Sequence, residues 1–271
     1  MAYNDGSDEL AWGLRSSLKY YLRRCCALGI SGLIRTGGSR VSSHLRLLLS
    51  LSRVQLFNSI YDWRRGTNTA AGVPHISLEM PEDVRRMASW YVPMPTRIFH
   101  YIIDALPIHP ADYLFVDIGA GKGKVLMAAA EHGFSELIGV EADSRLSVTC
   151  RANILSCELS AYPCTIVNQD VMEWELPDSP AVAFLYSPFT RDGIERFMNS
   201  LESRLSSRST SLILVFVDDI GAQSQLSVVV GHCEASKNWQ SHSISSLPND
   251  RTALFPMEAA AYSFNLDTGA N

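Results

Sequence analysis

The chain has 271 residues, 46% of them apolar, and a net charge of −5, enough for a full core in one α/β domain with an N-terminal accessory segment. No apolar run reaches the roughly 20 residues of a membrane-spanning helix, and the acidic start, Asp5, Asp8 and Glu9, is unlike a signal peptide. The six cysteines form neither a disulfide framework nor a zinc spacing, and the seven histidines show no ligand spacing, so a reduced, cytoplasmic setting without a metal is expected.

Charge is unevenly placed. From Arg15 to Arg65 there are ten Lys/Arg against one acid, Asp62, whereas from Gly66 onward there are 13 against 24, a balance of −11. Within the basic part, residues 10 to 26 set Leu10, Leu14, Leu18, Tyr21, Leu22 and Cys25 on one helical face. Residues 41 to 60 repeat the pattern with Leu45, Leu48, Leu49, Leu51, Leu56 and Phe57. Residues 1–60 are therefore expected to be a basic, amphipathic helical extension. Its apolar stripes predict a lid held on the rest of the chain mainly by Leu45, Leu48, Leu49, Leu56 and Phe57. The alternative is an arm that meets an anionic membrane, a nucleic acid or an acidic peptide through residues 15–65.

Residues 61 to 73, YDWRRGTNTAAGV, are polar and glycine-containing and read as a linker. Pro81 opens a short helix over residues 82 to 88. Pro93 and Pro95 keep the chain extended from Trp90. Thr96 is then placed to cap a helix whose apolar positions are Ile98, Phe99, Ile102, Ile103 and Leu106.

The stretch from Leu114 to Asp143 reads LFVDIGAGKGKVLMAAAEHGFSELIGVEAD. Leu114 to Ile118 is long enough for a buried parallel strand and runs into Gly119, Gly121 and Gly123, a tight strand-to-helix turn whose bare backbone lets a ligand approach a helix N-terminus. Val125, Leu126, Ala128 and Ala129 follow at helical spacing, and Gly133 ends that helix after His132. A second strand, Leu137 to Val140, delivers Glu141 to its carboxyl end, where open α/β sheets bind ligands. The dinucleotide fingerprint G-x-G-x-x-G fails here, because Lys124 stands where its third glycine is required.

What stands instead is D-x-G-x-G-x-G, Asp117 to Gly123, with an acid eighteen residues after Gly123. This resembles motif I and the acidic motif of the class I S-adenosylmethionine-dependent methyltransferases. The resemblance implies that Asp117, Gly119, Ala120, Gly121 and Gly123 pack against the methionine part of S-adenosylmethionine. It further implies that Glu141, beside Ala142, accepts both ribose hydroxyls. The upstream Tyr91-Val92-Pro93-Met94-Pro95 resembles the Y-x-P-T/S-P segment of a bacterial branch of that family and of a group of protein-lysine methyltransferases, in which the tyrosine and the hydroxyl residue close over the cofactor carboxylate. Met94 stands in the hydroxyl position, and Thr96 is the substitute two residues later.

Beyond Asp143, a helix over residues 144 to 157 places Leu146, Cys150, Ile154 and Cys157 on one core face. A third strand, Cys164 to Val167, ends near Asp170 and Val171, to which the resemblance assigns the adenine amino group and ring, with Trp174 nearby to cover its face. The alternative for Asp170 is a turn cap. The fourth strand, Ala181 to Tyr186, leads into Ser187-Pro188-Phe189, where the family holds its methyl acceptor with N-P-F; Tyr186, Ser187 and Phe189 are the candidates here. A helix over 191 to 205 and a strand from Leu212 to Val217 follow, with Asp218 and Asp219 either orienting or deprotonating an acceptor or capping the next helix. Residues 221 to 250 read as irregular apart from a closing strand over 239 to 244, with a last, antiparallel strand from Ala259 to Phe264.

The expected fold is a doubly wound, Rossmann-like α/β sheet of seven strands with the last antiparallel. Its expected parts are the extension over 1–60, a linker and cofactor-capping segment over 61–111, the catalytic domain over 112–266 and a tail over 267–271. The expected activity is direct displacement of a methyl group from S-adenosylmethionine to an N or O nucleophile, with a protein acceptor favoured by the Tyr91 segment. Small-molecule or nucleic-acid methylation, or a silent module that keeps the cofactor fold and recruits a partner, are the alternatives.

Overall fold

The structure is a computed structural model that describes residues 39–157, 162–208, 211–220, 224–250, 253 and 256–265. The helix expected over 10 to 26 and the tail over 267–271 lie outside the described residues. The described chain begins with α1 (Ser39–Arg65), α2 (Glu82–Met87) and α3 (Thr96–Ala105). It continues with β1 (Leu114–Ile118), α4 (Lys124–Ala130), β2 (Glu136–Val140), α5 (Ser144–Ser156), β3 (Cys164–Val167) and β4 (Ala181–Tyr186). The final part comprises α6 (Arg191–Leu205), β5 (Leu212–Asp219), α7 (Leu226–Ala235), β6 (Trp239–His242) and β7 (Met257–Phe264).

The strands form one seven-stranded sheet in the order β3-β2-β1-β4-β5-β7-β6. β1 to β5 pair in parallel, and β7 inserts antiparallel between β5 and β6. Parallel strands must be covered on both faces, which is why β4 and β5 read as unbroken apolar runs. On one face Phe115 and Phe184 meet Phe99 of α3, with ring centroids 5.6 and 5.2 Å away. The opposite face carries Val116, Ala183, Leu185 and Phe216 against Phe197 and Leu201 of α6. The strand order reverses between β1 and β4. In such sheets that switch point opens a crevice at the carboxyl ends of the strands.

Several boundaries differ from the sequence expectation for physical reasons. Thr96 is the first residue of α3 rather than its cap; Pro95 occupies the N-cap position, its carbonyl accepts from Ile98 and Phe99, and no side chain caps the helix. Residues 226–235, read as irregular, form α7, although Val228 to Val230 and Gly231 are poor helix formers; Val229 and Cys233 are buried against the sheet, and that packing outweighs propensity. α1 runs on through Arg65 into the expected linker, and Gly66, at φ 67°, follows its last turn.

The face that α1 presents to the domain mixes apolar Val54 and Tyr61 with polar Asn58 and Asp62. Val54, Asn58 and Asp62 are buried, whereas Leu56 is 60% and Trp63 81% exposed, with Phe57 and Ile60 also outward. The lid contact expected from Leu56 and Phe57 is therefore not made; Leu45, Leu48 and Leu49 lie where no side chain is described. Asn58 Oδ1 accepts from Lys124 Nζ at 2.7 Å, and Arg65 pairs with Glu131 at 2.6 Å. Among the described residues no helix is long and apolar enough to cross a membrane.

A chain beginning at Tyr61 would lose Val54 and Asn58 and leave the Lys124 ammonium buried without its amide partner. An unsatisfied buried donor costs roughly 1–3 kcal/mol, and each kcal/mol is worth about 2–4 °C at this size. The truncated chain is expected to melt roughly 2–12 °C below the full chain. Identical melting curves would show α1 to be an appended arm.

Candidate functional site

At the tip of β1 the backbone turns through three left-handed glycines, Gly119 (φ 77°), Gly121 (φ 55°) and Gly123 (φ 83°). Each lies where another segment closes on the main chain. A Cβ on Gly119 would sit 2.6 Å from Pro188 at the β4 tip, one on Gly121 2.3 Å from the Tyr91 ring, and one on Gly123 2.6 Å from Cys150 Sγ on α5. Side chains are excluded both by the left-handed angle and by these neighbours.

Glu141, at the tip of β2, is buried and binds the loop directly. Its Oε2 accepts from the Gly121 N–H at 2.7 Å and its Oε1 from the Asp143 N–H at 2.8 Å. Burial pushes its carboxyl up to about 7 against the opposing pull of those two N–H groups. Asp117, 3% exposed, has an Oδ2 with no protein partner, and burial together with the Glu141 charge pushes it well above the usual carboxylate range. Two acids whose carboxyls burial raises lie together in one crevice, the pattern of a candidate binding site.

These residues line an open-mouthed cleft of about 950 Å³, solvent at its mouth included. Of the residues singled out in the sequence, Tyr91, Asp117, Gly119, Ala120, Gly121, Glu141, Ala142, Asp170, Val171, Tyr186 and Phe189 line it together. Thr96, Gly123 and Ser187 do not. Gly123 serves the packing of α4 on α5. Thr96 stands at the head of α3, away from the cleft wall.

Ser187 is the one described non-glycine residue at positive φ, 43°, and its hydroxyl donates to Asp218. Asp218 is buried and also accepts from the N–H groups of Asp219 at 2.8 Å and Gln225 at 2.7 Å, so it ties the β4 tip to the start of α7. The Tyr186 hydroxyl, by contrast, lies 3.5 Å from Asp219. Asp170 faces the cleft and also accepts from the Met172 N–H at 3.0 Å, so the turn-cap contact is present beside the cleft position. Trp174 packs on the α6 face of the sheet, and Met172 lines the cleft in its place.

Sequence reasoning missed Lys124 and the wall built by residues 78 to 92. Lys124 lines the cleft while 4% exposed, and burial lowers its ammonium to about 8 despite the nearby charges of Asp62 and Asp250. Its Nζ lies 4.8 Å from the Tyr61 ring centroid. The signal was the second lysine of the run Lys122-Gly123-Lys124, which is otherwise apolar for the next six residues. Leu78, Met80, Val84, Met87, Ala88 and Trp90 supply an uncharged wall facing Tyr186, Pro188 and Phe189.

No protein-family model matches the chain, and no curated protein matches it. Similar solved structures include an Escherichia coli protein described as a methyltransferase, at 17% identity and TM-score 0.47, covering 70% of this chain and 92% of that one. Magnesium protoporphyrin IX methyltransferase from Synechocystis PCC 6803 with bound SAM is similar at 12% and 0.46, covering 62% and 76%. The ribosomal protein L11 methylase from Lactobacillus delbrueckii subsp. bulgaricus is similar at 14% and 0.43, covering 62% and 77%.

The raised Glu141 value has a measurable consequence for the free protein. Its folded-state value of about 7 exceeds the ordinary 4.5, so the protonated fold is favoured: the contribution is complete below about 4.5 and is lost as pH rises through about 7. Asp117 acts in the same direction. Melting temperatures across that window should fall with rising pH, and Glu141→Gln should flatten the slope whatever its absolute stability. A mutant with the wild-type slope would show that Glu141 does not titrate there.

Proposed function

We propose that the chain is an S-adenosylmethionine-dependent methyltransferase of the class I type that transfers a methyl group to an N or O nucleophile, with a protein acceptor favoured. The observation that carries this reading is the buried pair Asp117 and Glu141 on a three-glycine, left-handed loop at the switch point of the sheet.

The residues fit that cofactor. Glu141 retains acceptor capacity on both oxygens for ribose hydroxyls while its N–H bonds hold it to the loop. The unpartnered Asp117 Oδ2 suits the ammonium of the methionine part. Gly119, Ala120 and Gly121 offer bare backbone beside it, and Ala142, Asp170 and Val171 line the continuation toward the β3 tip, the place for an adenine. When bound, the cofactor would supply an electrophilic methyl group on a sulfonium. The protein's part is then positioning and the exclusion of water rather than covalent chemistry. Tyr186 and Phe189 wall the acceptor side; Asp219, outside the lining and 3.5 Å from the Tyr186 hydroxyl, would act on a nucleophile only through that hydroxyl.

The acceptor side argues for a body without phosphates. The lining contributed by residues 78 to 92 and by the β4 tip carries no lysine or arginine, and the chain from Gly66 onward has a balance of −11. A polyanion finds no cation in that lining, so any attraction would have to come from the basic stretch over residues 15–65. Together with the resemblance of the Tyr91 segment, this favours a protein side chain over nucleic acid. Methylation of cell extract with labelled cofactor, sorted into protein, nucleic-acid and small-molecule fractions, tests the assignment; label confined to nucleic acid would overturn it.

Two substitutions test the cofactor contacts. Charge-assisted hydrogen bonds are worth roughly 1.5–3 kcal/mol each and are rarely additive, so Glu141→Ala is expected to weaken S-adenosylmethionine binding by about 2–4 kcal/mol. An unchanged dissociation constant in a folded mutant would remove the assignment. Gly121→Val would drive a Cβ to 2.3 Å from the Tyr91 ring. Calorimetry is expected to show no binding by a protein that still melts cooperatively, and normal binding would mean that the loop does not touch the ligand.

A further inference from the structure

We infer that Asp62 of α1 is a positioning residue for the cofactor cleft, acting through Tyr91; this rests on the cofactor reading given above. Asp62 is the one acid in the basic stretch from Arg15 to Arg65, and it is buried. Its carboxylate organises the loop that follows α1. Oδ1 accepts from the Thr67 hydroxyl at 2.9 Å and the Thr69 hydroxyl at 2.7 Å, while Oδ2 accepts from the N–H groups of Thr69 at 2.7 Å and Ala70 at 2.6 Å. The Thr67 N–H closes the same turn on the Asp62 carbonyl at 3.0 Å.

The loop meets the cleft at Tyr91 twice: Val73 and Tyr91 exchange backbone hydrogen bonds at 3.0 Å, and the phenol is held separately from them. The Thr69 carbonyl accepts from the Tyr91 hydroxyl at 2.9 Å, and the Tyr91 ring lies over Gly121, which has no Cβ to hold it off. Burial keeps the Tyr91 phenol protonated and therefore a donor. The path runs from carboxylate to loop backbone to phenol to glycine turn, and each link is a hydrogen bond or a close contact. Thr67 and Thr69 are polar because they are hydrogen-bonded to Asp62, whereas Arg64 and Asn68 of the same stretch are exposed. Without the carboxylate, two backbone N–H groups and two hydroxyls lose their acceptor, and the Thr69 carbonyl is no longer held where Tyr91 needs it.

The chemistry distinguishes two substitutions. In Asp62→Asn the amide oxygen can take the Thr69 and Ala70 N–H groups while its NH2 donates to the two threonine hydroxyls, which also accept. Asp62→Ala has no such arrangement. The test is calorimetric titration of the full chain with S-adenosylhomocysteine, for Asp62→Ala and Asp62→Asn in both the wild-type and the Tyr91→Phe backgrounds. Asp62→Ala is expected to raise the dissociation constant about tenfold or more in the wild-type background and by less than about threefold once the phenol is gone, because residues acting through one contact are not additive. Asp62→Asn is expected to bind within about threefold of wild type. Equal losses in the two backgrounds, or no loss, would overturn the inference by showing that Asp62 serves stability alone. Should Asp62→Ala fail to fold, Thr69→Val, which removes one partner of the carboxylate and leaves the backbone, carries the same cycle: a loss confined to the wild-type background supports the path, and additive losses refute it. A wild-type chain that shows no saturable binding of S-adenosylhomocysteine fails at the cofactor reading itself, a result distinct from any of these.

Discussion

The absence of three side chains governs this structure. At Gly119, Gly121 and Gly123 the backbone turns left-handed from β1 into α4, and the space where a Cβ would lie is filled by Pro188, Tyr91 and Cys150 respectively. Three separate parts of the chain, the β4 tip, the segment before α3, and α5, are thereby brought against one turn. The cleft follows from that convergence: its walls are the same segments, seen from the side where the glycine backbone is open. Substituting any one glycine would strain the turn and displace a whole element.

Charge is the second constraint. Glu141 holds the loop by accepting from Gly121, yet burial raises its proton affinity, and its charge adds to that of Asp117, whose Oδ2 is left without a protein partner. Across the loop, Lys124 is buried with its ammonium depressed and its one hydrogen bond to α1. Burying ionisable groups in this way opposes stability unless partners relieve it. A ligand with hydroxyls for Glu141 and an ammonium for Asp117 would supply them, so the same residues that burden the free protein would reward the bound one. The polar residues on the inner face of α1, Asn58 on Lys124 and Asp62 on the Tyr91 support, make that helix part of the cleft's construction.

The sheet was legible in the sequence because buried parallel strands are short continuous apolar runs, and the tips of β1 and β2 were marked by the glycines and by Glu141. α7 was hidden: three valines and a glycine argue against a helix, and only packing on the sheet makes one. Apolar spacing puts Leu56 and Phe57 on the inner face of α1, whereas they face outward and Val54, Asn58 and Asp62 face inward. Asp62 was counted only as a charge in a basic stretch, since its four hydrogen bonds join residues whose polarity looks like solvation. Ser187 stands where the resembled motif has asparagine, and its hydroxyl turns to Asp218, a pairing across two strands that no local pattern contains.

The central claim is that the cleft at the β1 and β2 tips holds S-adenosylmethionine by its ribose and its amino group at once. The most direct measurement is calorimetric titration of the full chain with S-adenosylmethionine, adenosine and methionine in parallel, over buffers of different ionisation enthalpy near neutral pH. The account predicts one site per chain, far tighter binding of the whole cofactor than of either fragment, and proton release to the buffer on binding, as the hydroxyls and ammonium favour the ionised forms of Glu141 and Asp117. Absence of saturable binding at millimolar S-adenosylmethionine, or equal affinity for adenosine alone with no proton release, would contradict it.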